Sequence, residues 1–173
     1  MNEMRHYAKL LRATLTALLT LVAIGGAGAG PLEDGLAAFD KRDYATALRL
    51  LRPLAEQGDA VAQFNLGLMY QDGQGVPQDY TEAVKWFRLA AEQGEPDAQG
   101  SLGFLYAEGL GIPQDYVQAH MWLNLAASRY PASRKEVRDR AAKGRDLVAA
   151  EMTPAQIAEA QKLARDWKPK PER

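Results

Sequence analysis

Apolar side chains recur at helical spacing after residue 30, and glycine and proline interrupt them at regular intervals. Between Ala60 and Gln71 the apolar positions and strong helix formers predict one helix, which ends at the run Gly73-Gln74-Gly75-Val76-Pro77. A second helix is predicted from Asp79, because aspartate is a good N-cap and Glu82 follows three residues later. On this second helix one amphipathic stripe contains Tyr80, Ala83, Phe87 and Ala90, with Trp86 at its flank.

This helix pair is written twice in succession. Residues 59–94 align without a gap against residues 95–130, thirty-six residues in each copy. A fixed period of this size is typical of stacked repeats, in which each unit buries its apolar face only against its neighbours. Function is therefore expected on a surface rather than in a pocket of catalytic groups.

The period extends in weaker form to both sides of the two full copies. Residues 30–58 form a first unit with a short helix from Leu32 to Lys41, followed by a helix that Pro53 is expected to kink. Residues 131–167 contain two further helices, about 132–150 and 154–167, which we expect to close the stack. Thr153 is predicted to cap the last helix, and residues 168–173 are predicted to be a disordered tail.

The N-terminal residues have the three-part pattern of a secretory signal peptide. Arg5, Lys9 and Arg12 precede an apolar stretch over residues 13–24, and small residues up to Ala29 follow it. The apolar stretch is twelve residues long, whereas a membrane-spanning helix needs about 20. We therefore expect cleavage near Ala29 and a periplasmic or secreted protein without stable membrane insertion; an uncleaved N-terminal anchor is the less favoured alternative.

Composition excludes several classes of site. The chain has no cysteine and two histidines, so thiolate metal sites, disulfides and a cysteine nucleophile are ruled out. Its formal net charge is −1, which does not suit binding of a polyphosphate such as nucleic acid. We expect no metal and no cofactor.

The repeated positions carry a resemblance to a known family. Shared by the two full copies are, in the first of them, Ala62-Gln63, Leu66-Gly67, Tyr70, Gly73-x-Gly75-x-Pro77-x-Asp79, Ala83, Trp86 and Ala90-Ala91. These positions resemble the Sel-one-like repeat, a relative of the tetratricopeptide repeat. The resemblance implies an all-α fold, a right-handed superhelix of antiparallel helix pairs, that serves as an adaptor or scaffold, commonly in the bacterial cell envelope.

Cysteine-rich secreted members of that family have been linked to penicillin-binding or β-lactamase activity. Because this chain has no cysteine, it departs from that branch and the activity is not carried over. Gly67 and Gly103 lie in mid-helix, where glycine is unfavourable, so each is expected to mark the close approach of a neighbouring helix. Trp86 and Trp122 are expected in the core.

Four features admit a chemical as well as a structural interpretation, and the structural one is favoured for each. The glycine loops 73–75 and 109–111 could cradle phosphate, but no strand precedes them and they contain no lysine. His120 has no paired nucleophile, and Asp72 with Asp79 is explained by helix capping. A basic run over residues 134–145 could dock on anionic lipid, but the pairs Glu136/Arg140 and Asp139/Lys143 predict a solvated, self-paired helix face.

The positions that differ between the two copies on the first helix of each pair are the candidate contact surface. They form one stripe at helical spacing: Val61, Phe64, Asn65 and Leu68 in one copy, and Asp97, Gly100, Ser101 and Phe104 in the other. By resemblance to tetratricopeptide solenoids, the first helices line a groove, so these residues are predicted to bind a protein or peptide. The alternative, that Phe64 and Phe104 belong to the core, remains open.

The sequence thus predicts an exported, monomeric, non-enzymatic scaffold. Two alternatives stay open: a cell-wall-active or β-lactam-binding hydrolase on the same scaffold, and a structural subunit of an envelope assembly.

Overall fold

A computed structural model describes residues 30–170, and within that range it contains eight α-helices, numbered here in chain order. The helices are α1 (Pro31–Asp40), α2 (Tyr44–Glu56), α3 (Ala60–Asp72), α4 (Tyr80–Gln93), α5 (Pro96–Glu108), α6 (Tyr116–Arg129), α7 (Lys135–Ala150) and α8 (Pro154–Asp166). The predicted signal peptide and residues 171–173 lie outside the described residues. No helix between residues 30 and 170 has the length and apolar character to cross a bilayer.

The helices form sequential antiparallel pairs, which confirms the predicted all-α fold. From α1 to α7 each helix packs against the next one along the chain, and α8 then folds back onto α6. Contacts between neighbouring pairs are as continuous as those within a pair, because α2 packs on α3 and α4 on α5. The chain therefore builds its core in series, as stacked repeats do.

Side-chain caps begin the helices at the positions that the sequence indicates. Asp79 Oδ1 accepts hydrogen bonds from the backbone N–H groups of Thr81 and Glu82, at 2.8 and 3.1 Å. Asp115 repeats this cap one unit later, and Thr153 begins α8 with a complete capping box. Each such cap satisfies backbone donors that a helix start leaves free, and contributes about 1 kcal/mol.

The mid-helix glycines and the tryptophans occupy the places predicted for them. A Cβ atom built on Gly103 would lie 2.8 Å from the Leu123 side chain and 3.1 Å from the Ala119 carbonyl oxygen, so α5 and α6 approach backbone to backbone. Trp86 and Trp122 are 9% and 6% exposed, and both belong to the core. The largest fully buried side chains are Phe87, Leu51, Leu66, Met69, Leu102 and Leu105.

The basic segment after Tyr130 differs in detail from the prediction. A 3-10 turn spans Ala132–Arg134, and the α-helix begins only at Lys135, a common way for a helix start to tighten. Among residues 30–170, the ion pairs of this helix are not the two predicted ones. Asp139 pairs with Lys135 one turn earlier and lies 3.6 Å from Arg138, and Arg134 leaves the helix face to bind Asp97 of α5.

The end of the chain is held against α4 as far as the structure describes it. The backbone N–H of Lys170 donates to the Glu92 carbonyl at 2.8 Å, and its ammonium group lies 2.7 Å from the Glu92 carboxylate. Trp167 packs edge-on against Trp122, with the ring centroids 6.3 Å apart. Residues 168–170 are therefore docked rather than frayed, because an aromatic anchor precedes them and a salt bridge ends them.

Candidate functional site

The first helices of the later units enclose an open groove with a volume of about 520 Å³. Its walls come from α3, α5 and α7, and residues of α6 form its base. The lining is mostly apolar, with a few polar side chains among them. The lining residues are Phe64, Gln71, Asp97, Gly100, Ser101, Phe104, Ala107, Glu108, Leu123, Tyr130, Val137, Arg140, Ala141, Gly144, Leu147 and Val148.

Four of the seven predicted contact residues line this groove: Phe64, Asp97, Ser101 and Phe104. Phe104 is 51% exposed, so it is not a core residue. Phe64 is half-buried and stacks at an angle on Phe87, with the centroids 5.8 Å apart. The two phenylalanines thus differ: Phe64 is partly committed to the core, whereas Phe104 offers its ring to a partner.

The other three predicted residues lie outside the groove lining. Asn65 is buried, and its side-chain amide donates to the Val61 carbonyl at 2.8 Å, one helical turn back. Leu68 packs against the core between α3 and α4, while Val61 is 41% exposed beyond the end of the groove. The stripe continues along α3, but the groove follows α5, because α7 supplies an opposite wall only there.

One end of the groove is closed by a polar cluster around Asp97. Its carboxylate accepts from the Tyr130 hydroxyl at 2.9 Å and from both terminal nitrogens of Arg134 at 2.6 and 3.0 Å. Burial, and then the hydrogen bond to Asp97, raise the pKa of Tyr130 far above its usual value. The cluster ties α5 to the start of α7, so Asp97 supports the groove wall in addition to facing the groove.

Glu95 begins α5 next to this cluster. Its side chain accepts from the Ala98 backbone N–H, the N-cap position that Asp59 fills in the preceding unit. Burial raises the pKa of Glu95 to about 7, against the opposing effect of the Ala98 hydrogen bond. A proton bound at Glu95 therefore titrates near neutrality at the mouth of the groove.

The α7 wall was not predicted from the sequence. Leu147 is 63% exposed and lines the groove together with Val137, Arg140 and Val148. A signal for this wall exists: Val137, Ala141, Gly144 and Val148 recur at helical spacing, with Leu147 at the flank. It went unused because α7 lies outside the 36-residue register, so no second copy points to it.

The alternative sites are explained by structure within residues 30–170. Glycine loops 73–75 and 109–111 end helices in left-handed conformations, with φ of +69° at both Gly73 and Gly109. His120 is 4% exposed, and burial lowers its pKa. No group of three or more His, Asp or Glu side chains suited to a metal ion occurs in that range.

Comparison with known proteins places this geometry. The Sel1 repeat family matches residues 29–59, 60–95 and 96–130. Among solved structures, the chain is similar to a protective antigen present in uropathogenic Escherichia coli strains, which displays an SLR fold. The identity is 32% and the TM-score 0.72, over 84% of this chain and 30% of the antigen.

A Sel1 repeat protein from Oxalobacter formigenes is also similar, with 38% identity and a TM-score of 0.49 over 56% of this chain and 28% of that one. Among curated proteins, none matches. The chain spans less than a third of the length of either matched structure. The three family matches and the shared fold show that the chain belongs to the Sel1 repeat family.

Proposed function

We propose that this protein is an exported, non-enzymatic scaffold that binds a protein or peptide partner in the groove between α5 and α7. The observation that carries the proposal is the pair of exposed apolar side chains there. Phe104 and Leu147 are 51% and 63% exposed, yet both line one concave surface. Exposed apolar groups that gather in a groove favour association, since covering them removes apolar surface from water.

The groove also has the composition of a binding surface. An aromatic and an aliphatic anchor lie in its middle, and the polar side chains of Asp97, Glu108 and Arg140 lie around them. Binding energy in such surfaces is concentrated in a few central anchors, with a polar rim that contributes little. We therefore assign the anchor role to Phe104 and Leu147.

The hydrolase alternative is not adopted, because the candidate acid and base groups have structural roles. The Asp79 carboxylate is occupied with capping α4, and His120 is buried between helices rather than open to the groove. The Sel1 matches cover the repeat units alone. Purified protein that hydrolysed a β-lactam or a peptidoglycan fragment would revive this alternative.

The export part of the proposal rests on the first 29 residues. A basic segment, a short apolar segment and Ala27-Gly28-Ala29 succeed one another there, in the order of a cleavable signal. N-terminal sequencing of the protein from the periplasmic fraction should begin at Gly30. A cytoplasmic protein that still begins at Met1 would contradict this.

Affinity capture from envelope extracts tests the binding part. We expect Phe104→Glu and Leu147→Lys to lose the partner that the unaltered protein captures. Leu163→Lys is the matched control, because Leu163 is an exposed leucine of α8 that does not line the groove. Retention of every partner by both groove variants would refute the site, and size-exclusion chromatography of the purified protein should show a monomer.

A further inference from the structure

A second concave surface lies on the opposite side of the repeats, between α2 and α4, and has a volume of about 420 Å³. We call it the open crevice. It shares no lining residue with the groove. Its lining residues are Ala55, Glu56, Gln57, Gly58, Gln63, Trp86, Leu89, Glu92, Gln93 and Lys170.

The same place one repeat later, which we call the filled crevice, is occupied by the protein's own C-terminal segment. Trp167 packs edge-on against Trp122 at 6.3 Å, and the Arg129 guanidinium lies 4.3 Å from the centre of its ring. A Cβ built on Gly94 would lie 3.7 Å from the Trp167 ring and 3.8 Å from Pro169. This crevice thus holds a tryptophan followed by an extended segment.

The two crevices are built from equivalent residues. Residues 55–58 and 91–94 both have the sequence Ala-Glu-Gln-Gly, and Trp86 stands where Trp122 stands in the next unit. The leucines at the next equivalent positions differ only in what covers them. Leu89 is 40% exposed in the open crevice, whereas Leu125 is 5% exposed where Trp167 and α8 cover the same position.

The polar contacts of the filled crevice also have unused equivalents. Glu92 receives both the backbone N–H and the ammonium group of Lys170, at 2.8 and 2.7 Å. Its equivalent, Glu56, has an exposed side chain that forms no ion pair within residues 30–170. Over the same range, the backbone carbonyl of Glu56 also accepts no bond from the loop that follows α2. The open crevice therefore presents an anionic acceptor where the filled one binds lysine.

We propose that the open crevice binds an extended peptide segment of a partner protein that carries a tryptophan and, three residues later, a lysine. The indole ring packs on Leu89 and Trp86, as Trp167 packs on the equivalent surface. The lysine pairs with Glu56, as Lys170 pairs with Glu92. This site is additional to the groove, and neither depends on the other.

One substitution between the crevices affects which ring is selected. Gln93 stands where Arg129 stacks on Trp167, so the open crevice lacks that cation–π contact. The Gln93 amide nitrogen is already bonded to the Gly58 carbonyl and the Gln63 side chain, each at 2.8 Å, while its side-chain oxygen has no donor. A tryptophan brings an N–H donor that phenylalanine lacks, so the crevice favours tryptophan.

Fluorescence anisotropy with a labelled peptide tests the proposal. The probe is Ala-Arg-Asp-Trp-Lys-Pro-Lys, the sequence of residues 164–170 of this chain, added to the purified protein. We expect saturable binding that weakens about tenfold with Leu89→Lys and severalfold with Glu56→Gln. A peptide with alanine in place of tryptophan should not bind, and one with phenylalanine should bind more weakly.

The controls separate this site from the others. Leu147→Lys, a groove variant, should leave the peptide affinity unchanged, so failure of the groove proposal does not affect this result. Absence of binding by the unaltered protein would overturn the inference. Binding that Leu89→Lys and Glu56→Gln leave intact would also overturn it, because the peptide would then be exchanging with the chain's own segment in the filled crevice.

Discussion

Gly111 lies directly on the backbone of Tyr80, the first residue of α4 in the preceding unit. A Cβ atom built on Gly111 would overlap the carbonyl group of Tyr80 and lie 2.7 Å from the Thr81 nitrogen. The same contact occurs one unit earlier, where a Cβ on Gly75 would lie 2.9 Å from the Tyr44 Cβ. The second glycine of each helix-to-helix loop is thus where one repeat rests on another.

Replacing Gly111 by alanine should therefore destabilise the stack more than the same change at Gly109. Both glycines have a left-handed φ, +68° and +69°, so the backbone strain of about 1–2 kcal/mol is common to both variants. Only at Gly111 does the new methyl group meet the backbone of another repeat, which should add about 1–3 kcal/mol. Urea unfolding of the two variants measures the difference, and equal losses would contradict the contact.

Much of this fold could be predicted because the chain states it twice. Gly67 and Gly103 differ from their surroundings in the same way in both copies, and that agreement identified close helix contacts that one copy would have left ambiguous. Asp79 and Asp115 were predictable for a more local reason, since a cap needs only a short side chain next to the free N–H groups.

The candidate site was predicted only in part, because its second wall has no repeated counterpart. Phe104 could be placed on the variable stripe, but its exposure depends on α7, which follows no register with the repeats. Asn65 shows the reverse: its place on the stripe suggested a contact, whereas its amide folds back onto the Val61 carbonyl. Side-chain bonds of this kind to the preceding turn follow from rotamer choice, which helical spacing does not encode.

The structural role of the acidic residues around the first full loop can be tested by two alanine substitutions. Asp79→Ala removes two hydrogen bonds to the start of α4 and should lower the free energy of unfolding by about 0.5–2 kcal/mol. Asp72→Ala, at the exposed end of α3, should change it by less than about 0.5 kcal/mol. Thermal unfolding compares them; similar losses would show that capping does not explain Asp79.

Glu95 should make stability depend on pH near neutrality. Its folded pKa of about 7 lies above the ordinary value of 4.5, so the folded protein binds a proton that the unfolded chain has released between these values. The stability that this proton provides is present below pH 4.5 and is lost as the pH rises toward about 7, an effect of roughly 1–3 kcal/mol.

Comparison with Glu95→Gln isolates this effect. His120 acts in the opposite direction, because burial lowers its pKa and protonation below pH 6.5 therefore favours the unfolded chain. Both the protein and the variant retain His120, so the difference between their unfolding free energies reports Glu95 alone. The advantage of the variant should grow from pH 4.5 to pH 7. A difference that stays constant over this range would show that Glu95 titrates normally.

Trp167 should contribute to stability although it follows the last helix. Its ring contacts Trp122 and the Arg129 guanidinium, so Trp167→Ala should lower the free energy of unfolding by about 1–3 kcal/mol. Lys168→Ala is the matched control, since Lys168 is exposed and should be neutral. Amide hydrogen exchange offers a second readout, because the Lys170 N–H loses its bond to Glu92 if the segment is released.

Photo-crosslinking in intact cells tests most directly whether the groove is the binding surface. A photoreactive amino acid replaces Phe104 inside the groove in one variant and the exposed Leu163 of α8 in another. We expect a discrete crosslinked product from position 104 that disappears when Leu147→Lys is added, and no such product from position 163. The same products from both positions, or a product from position 104 that Leu147→Lys leaves unchanged, would contradict the account.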